Sequence, residues 1–194
     1  MQRHLVLFLL VAAAAQSGGK YGVVVSGKLT PGKLTPEAVK YGALEIGRFE
    51  VTRAQYFAWD NGYPVEKGTE NFPANGITPA QARAYTEWLS NLTGQSWRLP
   101  DEEEVAALYG AATEAQENTL KKGATAALKE AGSFPPSVGA NESAIYDLGG
   151  NVAEWVNTKE GKSKLLGGSA ERPAGSKQTP DYMYAGFRVI RVLR

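Results

Sequence analysis

The side chains that most often carry out chemistry are almost missing from this chain. Its 194 residues include no cysteine and one histidine, His4. Without thiols there is no thiolate nucleophile, no disulfide, no Cys-ligated zinc and no iron–sulfur cluster. His4 and the basic Arg3 stand just before an apolar run, Leu5 to Ala15 (LVLFLLVAAAA), which closes with Gln16, Ser17, Gly18 and Gly19. A basic start, an apolar core of that length and small residues at its end predict a signal peptide over residues 1–19. The run is shorter than the roughly 20 apolar residues of a membrane span, with an uncleaved anchor as the alternative. Cleavage removes His4, and the mature chain then holds neither histidine nor cysteine. That eliminates Ser-His-Asp triads, Cys-His dyads and His-ligated zinc or iron. Two kinds of chemistry survive: catalysis by carboxylates alone, as in glycoside hydrolysis, and the binding of hard cations by oxygen ligands.

Other classes fall on charge and motif. Lys+Arg number 21 against 20 Asp+Glu, a net charge of +1, which lacks the cationic excess that phosphate neutralisation needs, so no nucleic-acid partner is expected. No Gly-rich phosphate loop is present, so no nucleotide site is implied. The densest acidic run, Asp101 to Glu104, has a structural reading: carboxylates in a first turn favour the positive end of a helix.

The elements that must position any site are short. Val23–Val25 predicts a brief strand. A repeat follows, Gly27–Pro31 and Gly32–Pro36, whose prolines and glycines predict an irregular arm over residues 20–42. In residues 43–52 (ALEIGRFEVT), Leu44 and Ile46 alternate, then Phe49 and Val51, with Gly47 at the slip; this predicts a strand pair or a bulged strand. Ala54–Asp60 predicts a short helix ended by Asn61-Gly62. The clearest helix is Pro79–Leu92, with Thr78 as N-cap, Gln81 completing a capping box and Gly94 closing it. Its apolar face holds Ala82, Tyr85, Trp88, Leu89 and Leu92. A second helix starts at Asp101, with Glu104 at the capping-box position and a stripe of Val105, Leu108 and Tyr109. Glu114–Glu130 is polar and carries little signal. Leu165-Leu166 and Phe187–Leu193 are the best late strands, the latter covered on both faces at one end. Helices early and short strands late predict an α+β domain over residues 43–194 with two main helices and much irregular backbone.

The motifs in order resemble a known family. They are Glu50-Val51-Thr52 with Gln55-Tyr56, Ala82–Leu92 (ARAYTEWLSNL), Trp97–Glu104 (WRLPDEEE), Gly132–Pro136 (GSFPP), Tyr146–Trp155 (YDLGGNVAEW), Gly167-Gly168-Ser169 and Gly186-Phe187-Arg188. The series resembles the sulfatase-modifying-factor domain of formylglycine-generating enzyme, and the resemblance implies a variant of the C-type-lectin fold. In the enzymes, copper–thiolate chemistry takes place at a cysteine pair between the motifs matching Gly167-Gly168-Ser169 and Gly186-Phe187-Arg188. Soft copper needs such ligands, so no copper is expected here. Relatives with histidine-ligated iron are likewise unmatched. The segment between Ala170 and Ala185 is short for the family, and a WG-type motif before Gly132 is missing.

The resemblance also implies a structural calcium held by the side chains of Asp147 and Glu154 and the carbonyls of Gly150 and Val152. Oxygen donors of these kinds suit calcium, and Gly149-Gly150 would let the backbone turn to aim two carbonyls inward. The alternative is that Glu154 pairs with an arginine such as Arg188 and that the glycines form only a turn. In the segment where the enzymes place substrate, Glu171, Arg172, Lys177, Asp181, Tyr182 and Tyr184 form a candidate rim, rich in the types that dominate contact surfaces. The expectation is an exported, periplasmic or extracellular, non-catalytic module that binds a protein, glycan or cell-envelope ligand, with no membrane span after signal cleavage. The alternatives are a glycan-acting hydrolase using carboxylates alone and a formylglycine-generating oxidase despite the missing cysteines. Two carboxylates converging in a deep pocket would distinguish the hydrolase.

Overall fold

Gly42, with a left-handed φ of 58°, turns the chain between strands β3 (Ala38–Tyr41) and β4 (Leu44–Gly47), which pair antiparallel from Tyr41–Leu44 to Ala38–Gly47. The computed structural model describes residues 35–112 and 127–193 and the backbone at 24–25 and 28–29, where β1 (Val24–Val25) pairs with β2 (Lys28–Leu29). The expected signal segment, most of the repeat and most of the polar stretch after Glu114 lie outside the described residues. Among the described residues, no helix is long and apolar enough to cross a membrane.

β3 corrects the expected irregular arm: residues 38–41 form the edge of a four-stranded antiparallel sheet in the order β3-β4-β9-β5, with β5 at Ser96–Arg98 and β9 at Ile190–Val192. The expected run through Thr52 breaks where the alternation slips. A Cβ at Gly47 would lie 3.2 Å from the Val189 carbonyl oxygen, so the backbones approach closely there. Beyond it Val51 donates to the Phe187 carbonyl, but Phe49 and Val51 go to different clusters, Phe49 beside Ala131 and Val51 in the main core.

Three helices follow the capping chemistry. α1 (Arg53–Trp59) starts from a reciprocal Thr52–Gln55 box and α2 (Pro79–Thr93) from a Thr78–Gln81 box. Gly94 ends α2 with φ 67°. α3 (Glu102–Gly110) begins where Glu104 accepts from the Asp101 N–H, while its guanidinium partner Arg98 holds the Glu104 carboxyl below its ordinary range. Ala82, Tyr85 and Leu89 of α2 are fully buried beside Tyr56, Trp97 and Phe187. Leu92 corrects the expected face: it is 51% exposed, because α2 ends one residue later, past the edge of the core. Val105, Leu108 and Tyr109 of α3 enter a second cluster with Ile46, Val156 and Ile190.

The second sheet is three-stranded, in the order β7-β6-β8: β6 (Ala153–Asn157) pairs antiparallel with β7 (Ser163–Leu166) and parallel with β8 (Ala185–Gly186). Of the expected late strand, only residues 190–192 are regular. Phe187, Arg188, Val189 and Ile190 are all fully buried, so that end is covered on both faces. Phe187 and Val189 enter the α1–α2 cluster and Ile190 the α3 cluster, with Arg188 between them.

Candidate functional site

Strand periodicity in β6 separates two environments. Ala153 and Trp155 line an open cavity, whereas Glu154 and Val156 are buried in the interior.

The interior side is a charge cluster. Arg188 donates from Nε and Nη2 to the two oxygens of Glu154, both at 2.6 Å, and Tyr109 donates to Glu154 Oε2 at 2.7 Å. Arg188 also donates to the carbonyls of Gly47 and Tyr146, both at 2.9 Å, tying β4 to the stretch before Leu148. Two more carboxylates, Glu50 and Asp147, are 1% and 0% exposed and act on each other electrostatically. Asp147 Oδ2 accepts from the Gly132 N–H at 2.6 Å, while Asp147 Oδ1 and both oxygens of Glu50 have no donor. Burial, reinforced by the charges of Asp147 and Glu154, holds the Glu50 carboxyl well above its ordinary range. Burial pushes Asp147 up to about 6, against the pull of the Gly132 hydrogen bond and the Arg188 charge.

As a calcium set, Asp147, Gly150, Val152 and Glu154 fit only in part. Asp147 offers a free buried oxygen. Glu154 offers none while Arg188 and Tyr109 hold it, the alternative pairing that the sequence left open. The buried carboxylate with both oxygens unpartnered among the described residues is instead Glu50. With all three carboxylates ionised, one guanidinium would leave the cluster two negative charges in excess, which the raised Glu50 and Asp147 carboxyls relieve by holding protons and which a divalent cation could offset instead. Among the described residues no group of three or more acidic side chains is disposed around one metal position, so any fit is to two carboxylates.

The glycines play a different part from the one expected. The left-handed residues of this stretch are Asp147 (φ 60°) and Asn151 (φ 63°), not Gly149 or Gly150. Gly168 is there for close approach: a Cβ on it would lie 1.9 Å from the Gly149 carbonyl oxygen. Gly167 presses likewise on the Leu148 carbonyl, 2.3 Å from where its Cβ would be. Gly167 and Gly168 thus lay their backbone directly on that of Leu148 and Gly149 and fix the start of the loop that leaves β7.

That loop, residues 169–181, closes the cavity on the other side of β6. Ser169 makes its first turn by accepting the Arg172 N–H at 3.0 Å, and Glu171 fastens its end by accepting the Asp181 N–H at 2.8 Å. Arg172 reaches across the loop to Gln178. The cavity between loop and hairpin measures about 460 Å³. Trp155, Leu165, Pro173 and Pro180 give it apolar walls, and Trp155 is pinned by donating to the Ile77 carbonyl at 2.6 Å. Lys164, Arg172 and Lys177 also line it, and among the described residues no carboxylate does.

The expected rim residues therefore divide. Arg172 and Lys177 line the cavity. Glu171 and Asp181 hold the loop together, Asp181 also accepting the Met183 N–H at 2.9 Å to start a short 3-10 turn. Tyr182 is 49% exposed at the outer edge of that turn. Tyr184 lines a separate cavity of about 300 Å³ with Arg53, Phe72 and Met183. The converging acids that would mark a hydrolase exist as Glu50 and Asp147, but their burial keeps substrate from them. Sequence reasoning missed Glu50, Lys164 and Trp155 as site residues; the signal for Glu50 was an acid set between the apolar Phe49 and Val51.

Residues 12–192 match the family model of the sulfatase-modifying factor enzyme 1-like domain. Among solved structures, CarF aligns with a TM-score of 0.60 and 22% identity, over 78% of this chain and 87% of that one. PvdO from Pseudomonas aeruginosa aligns at 0.54 and 22%, over 77% and 80%. Treponema denticola variable protein 1 aligns at 0.56 and 18%, over 77% and 84%. These likenesses show a shared fold. No curated protein matches the chain.

Proposed function

The chain belongs to the sulfatase-modifying factor enzyme 1-like family, and from that premise we propose that it is an exported, non-catalytic member that uses the cavity beside β6 to bind a ligand. The observation that carries the reading is the lining of that cavity: cations, hydroxyls and an aromatic wall on a family fold, in a chain without a single thiol. Copper–thiolate oxidation has no ligands to work with here. Residues 1–19 serve as the export signal in this reading, which places the mature chain in the periplasm or outside the cell.

Mass spectrometry of a sulfatase-type cysteine peptide, incubated with the purified mature chain with and without copper, tests the non-catalytic part. The peptide is expected back unchanged. Its conversion to the formylglycine form, in a preparation free of any active relative, would overturn the reading.

Calcium belongs to the same proposal. Asp147 and Glu50 supply its carboxylates, the carbonyls of Gly150 and Val152 follow from the family resemblance, and Glu154 stays with Arg188. Calcium would act on folding, since an ion bound only by the native state stabilises it by about 2.7 kcal/mol at a hundred times its dissociation constant. Excess calcium is expected to raise the melting temperature above the value in chelator, and magnesium to do so less, because it demands a tight octahedron. The increment should vanish in Asp147→Asn and persist in Glu154→Gln. Equal melting in calcium and chelator would contradict the site, and loss of the increment in Glu154→Gln would return Glu154 to the ligand set.

A further inference from the structure

The cavity beside β6 has a one-sided lining. Lys164, Arg172 and Lys177 reach it from β7 and from two points of the 169–181 loop, and among the described residues no acid lines it. The chain as a whole is almost neutral, with a net charge of +1, so this concentration is local. Two of the cations are partly compensated outside the cavity: Lys164 pairs with Glu102 on α3 at 2.5 Å, and Arg172 with Glu171 at 3.2 Å. Lys177 has no hydrogen-bond or ion-pair partner among the described residues and stands exposed at the mouth. Ser176 and Thr179 add hydroxyl-bearing side chains to the lining. A concave surface of one sign concentrates ligands of the opposite sign, and low-dielectric walls such as Trp155 and Leu165 strengthen the field inside it.

We propose that this cavity is an oxyanion site: its ligand is a small molecule bearing a phosphate or carboxylate, received by Lys177, Arg172 and Lys164 while its body lies against Trp155 and the loop hydroxyls. The inference rests on the binding reading above and gives it a ligand class. A volume of about 460 Å³ suits one or two sugar-sized units. The loop's own fastenings, Glu171 to Asp181 and Arg172 to Gln178, hold the cations in place before the ligand arrives, which limits the ordering cost of binding.

The test is isothermal titration of the mature chain with glucose 6-phosphate, glucuronate, inorganic phosphate and glucose at low and high salt. The two charged sugars are expected to bind at least about tenfold more tightly than glucose and to weaken as salt rises, because exposed charges are screened beyond about 10 Å at 0.1 M ionic strength. Inorganic phosphate binding as tightly as glucose 6-phosphate would support a free-anion ligand; weaker binding would support an anion carried on a sugar. Lys177→Gln should weaken the charged sugars by about three- to tenfold, and Lys177→Glu further. Lys159→Gln removes the same charge from the β6–β7 turn, where Lys159 pairs with Glu103 away from the cavity, and should change nothing. The inference fails if no charged probe binds, if glucose binds as tightly as glucose 6-phosphate, or if Lys159→Gln weakens binding as much as Lys177→Gln. Tight binding of glucose would remove the anion and leave the binding reading standing, whereas conversion of the cysteine peptide would remove the non-catalytic reading without touching the anion.

Discussion

Replacing Arg188 by methionine is expected to lower the unfolding free energy by about 3–5 kcal/mol, the usual result of stripping one partner from a fully buried ion pair. Arg188 and Glu154 have side chains 0% and 1% exposed, so water cannot take over the lost partner. The substitution would also free the carbonyls of Gly47 and Tyr146 and leave three acids in one interior cluster without a cation. Equilibrium urea unfolding measures the effect as a fall in midpoint at unchanged slope. Glu154→Gln should cost less, because the amide still accepts from Arg188 and Tyr109 with one oxygen. A double variant, Arg188→Met with Glu154→Met, should recover part of the loss, since it removes the carboxylate paired with Arg188 and leaves only Glu50 and Asp147 without a cation. A loss below about 1 kcal/mol for Arg188→Met would place it with exposed ion pairs and contradict the geometry.

The second large effect is expected from one added methyl group. Gly168→Ala would put a Cβ 1.9 Å from the Gly149 carbonyl oxygen and 2.7 Å from the Ala174 nitrogen. Both are backbone atoms, so no rotamer change relieves the clash; the glycine stack must separate. Overpacking a close-packed site typically costs about 1–3 kcal/mol and occasionally more, and backbone-on-backbone contact belongs at the upper end. The cavity loop starts from this contact, so affinity for glucose 6-phosphate should fall together with stability. Gly110→Ala is the control: its Cβ meets open space at the end of α3, and the change should be neutral or stabilising by up to about 1 kcal/mol. Thermal melts of the two variants beside the native chain decide the matter; a Gly168→Ala protein that melts with the native chain would contradict the stacked-glycine account.

The parts of the fold legible in the sequence were those written in local chemistry. Thr78, Pro79, Gln81 and Gly94 mark both ends of α2 because capping depends on neighbours a few residues away. The strands were harder. β6 was hidden because its inward position 154 is a glutamate, which reads as solvent-facing until Arg188, 34 residues on, is brought beside it. The β3 strand was hidden by the prolines and glycines just before it. Phe187 to Ile190 showed burial on both faces but not regular pairing, which depends on what the chain at residues 47–51 does against them.

The site was legible in outline and not in assignment. Ordered motifs identified the family, yet roles followed tertiary distances that spacing does not contain. Glu50 served in the sequence only as part of a recognisable triplet, and in the fold burial holds its carboxyl well above the ordinary range, with neither side-chain oxygen partnered among the described residues. Glu171 and Asp181 carried the composition of a contact rim and turn out to bind each other's neighbourhood instead.

If the ligand sits between the β6–β7 hairpin and the 169–181 loop, amide chemical-shift mapping of the labelled chain titrated with glucose 6-phosphate will show saturable shifts confined to residues 163–169 and 172–180 and to the Trp155 indole N–H, absent in Lys177→Glu. Shifts clustered instead around Arg53, Phe72 and Tyr184, or scattered over the surface without saturation, would contradict that placement.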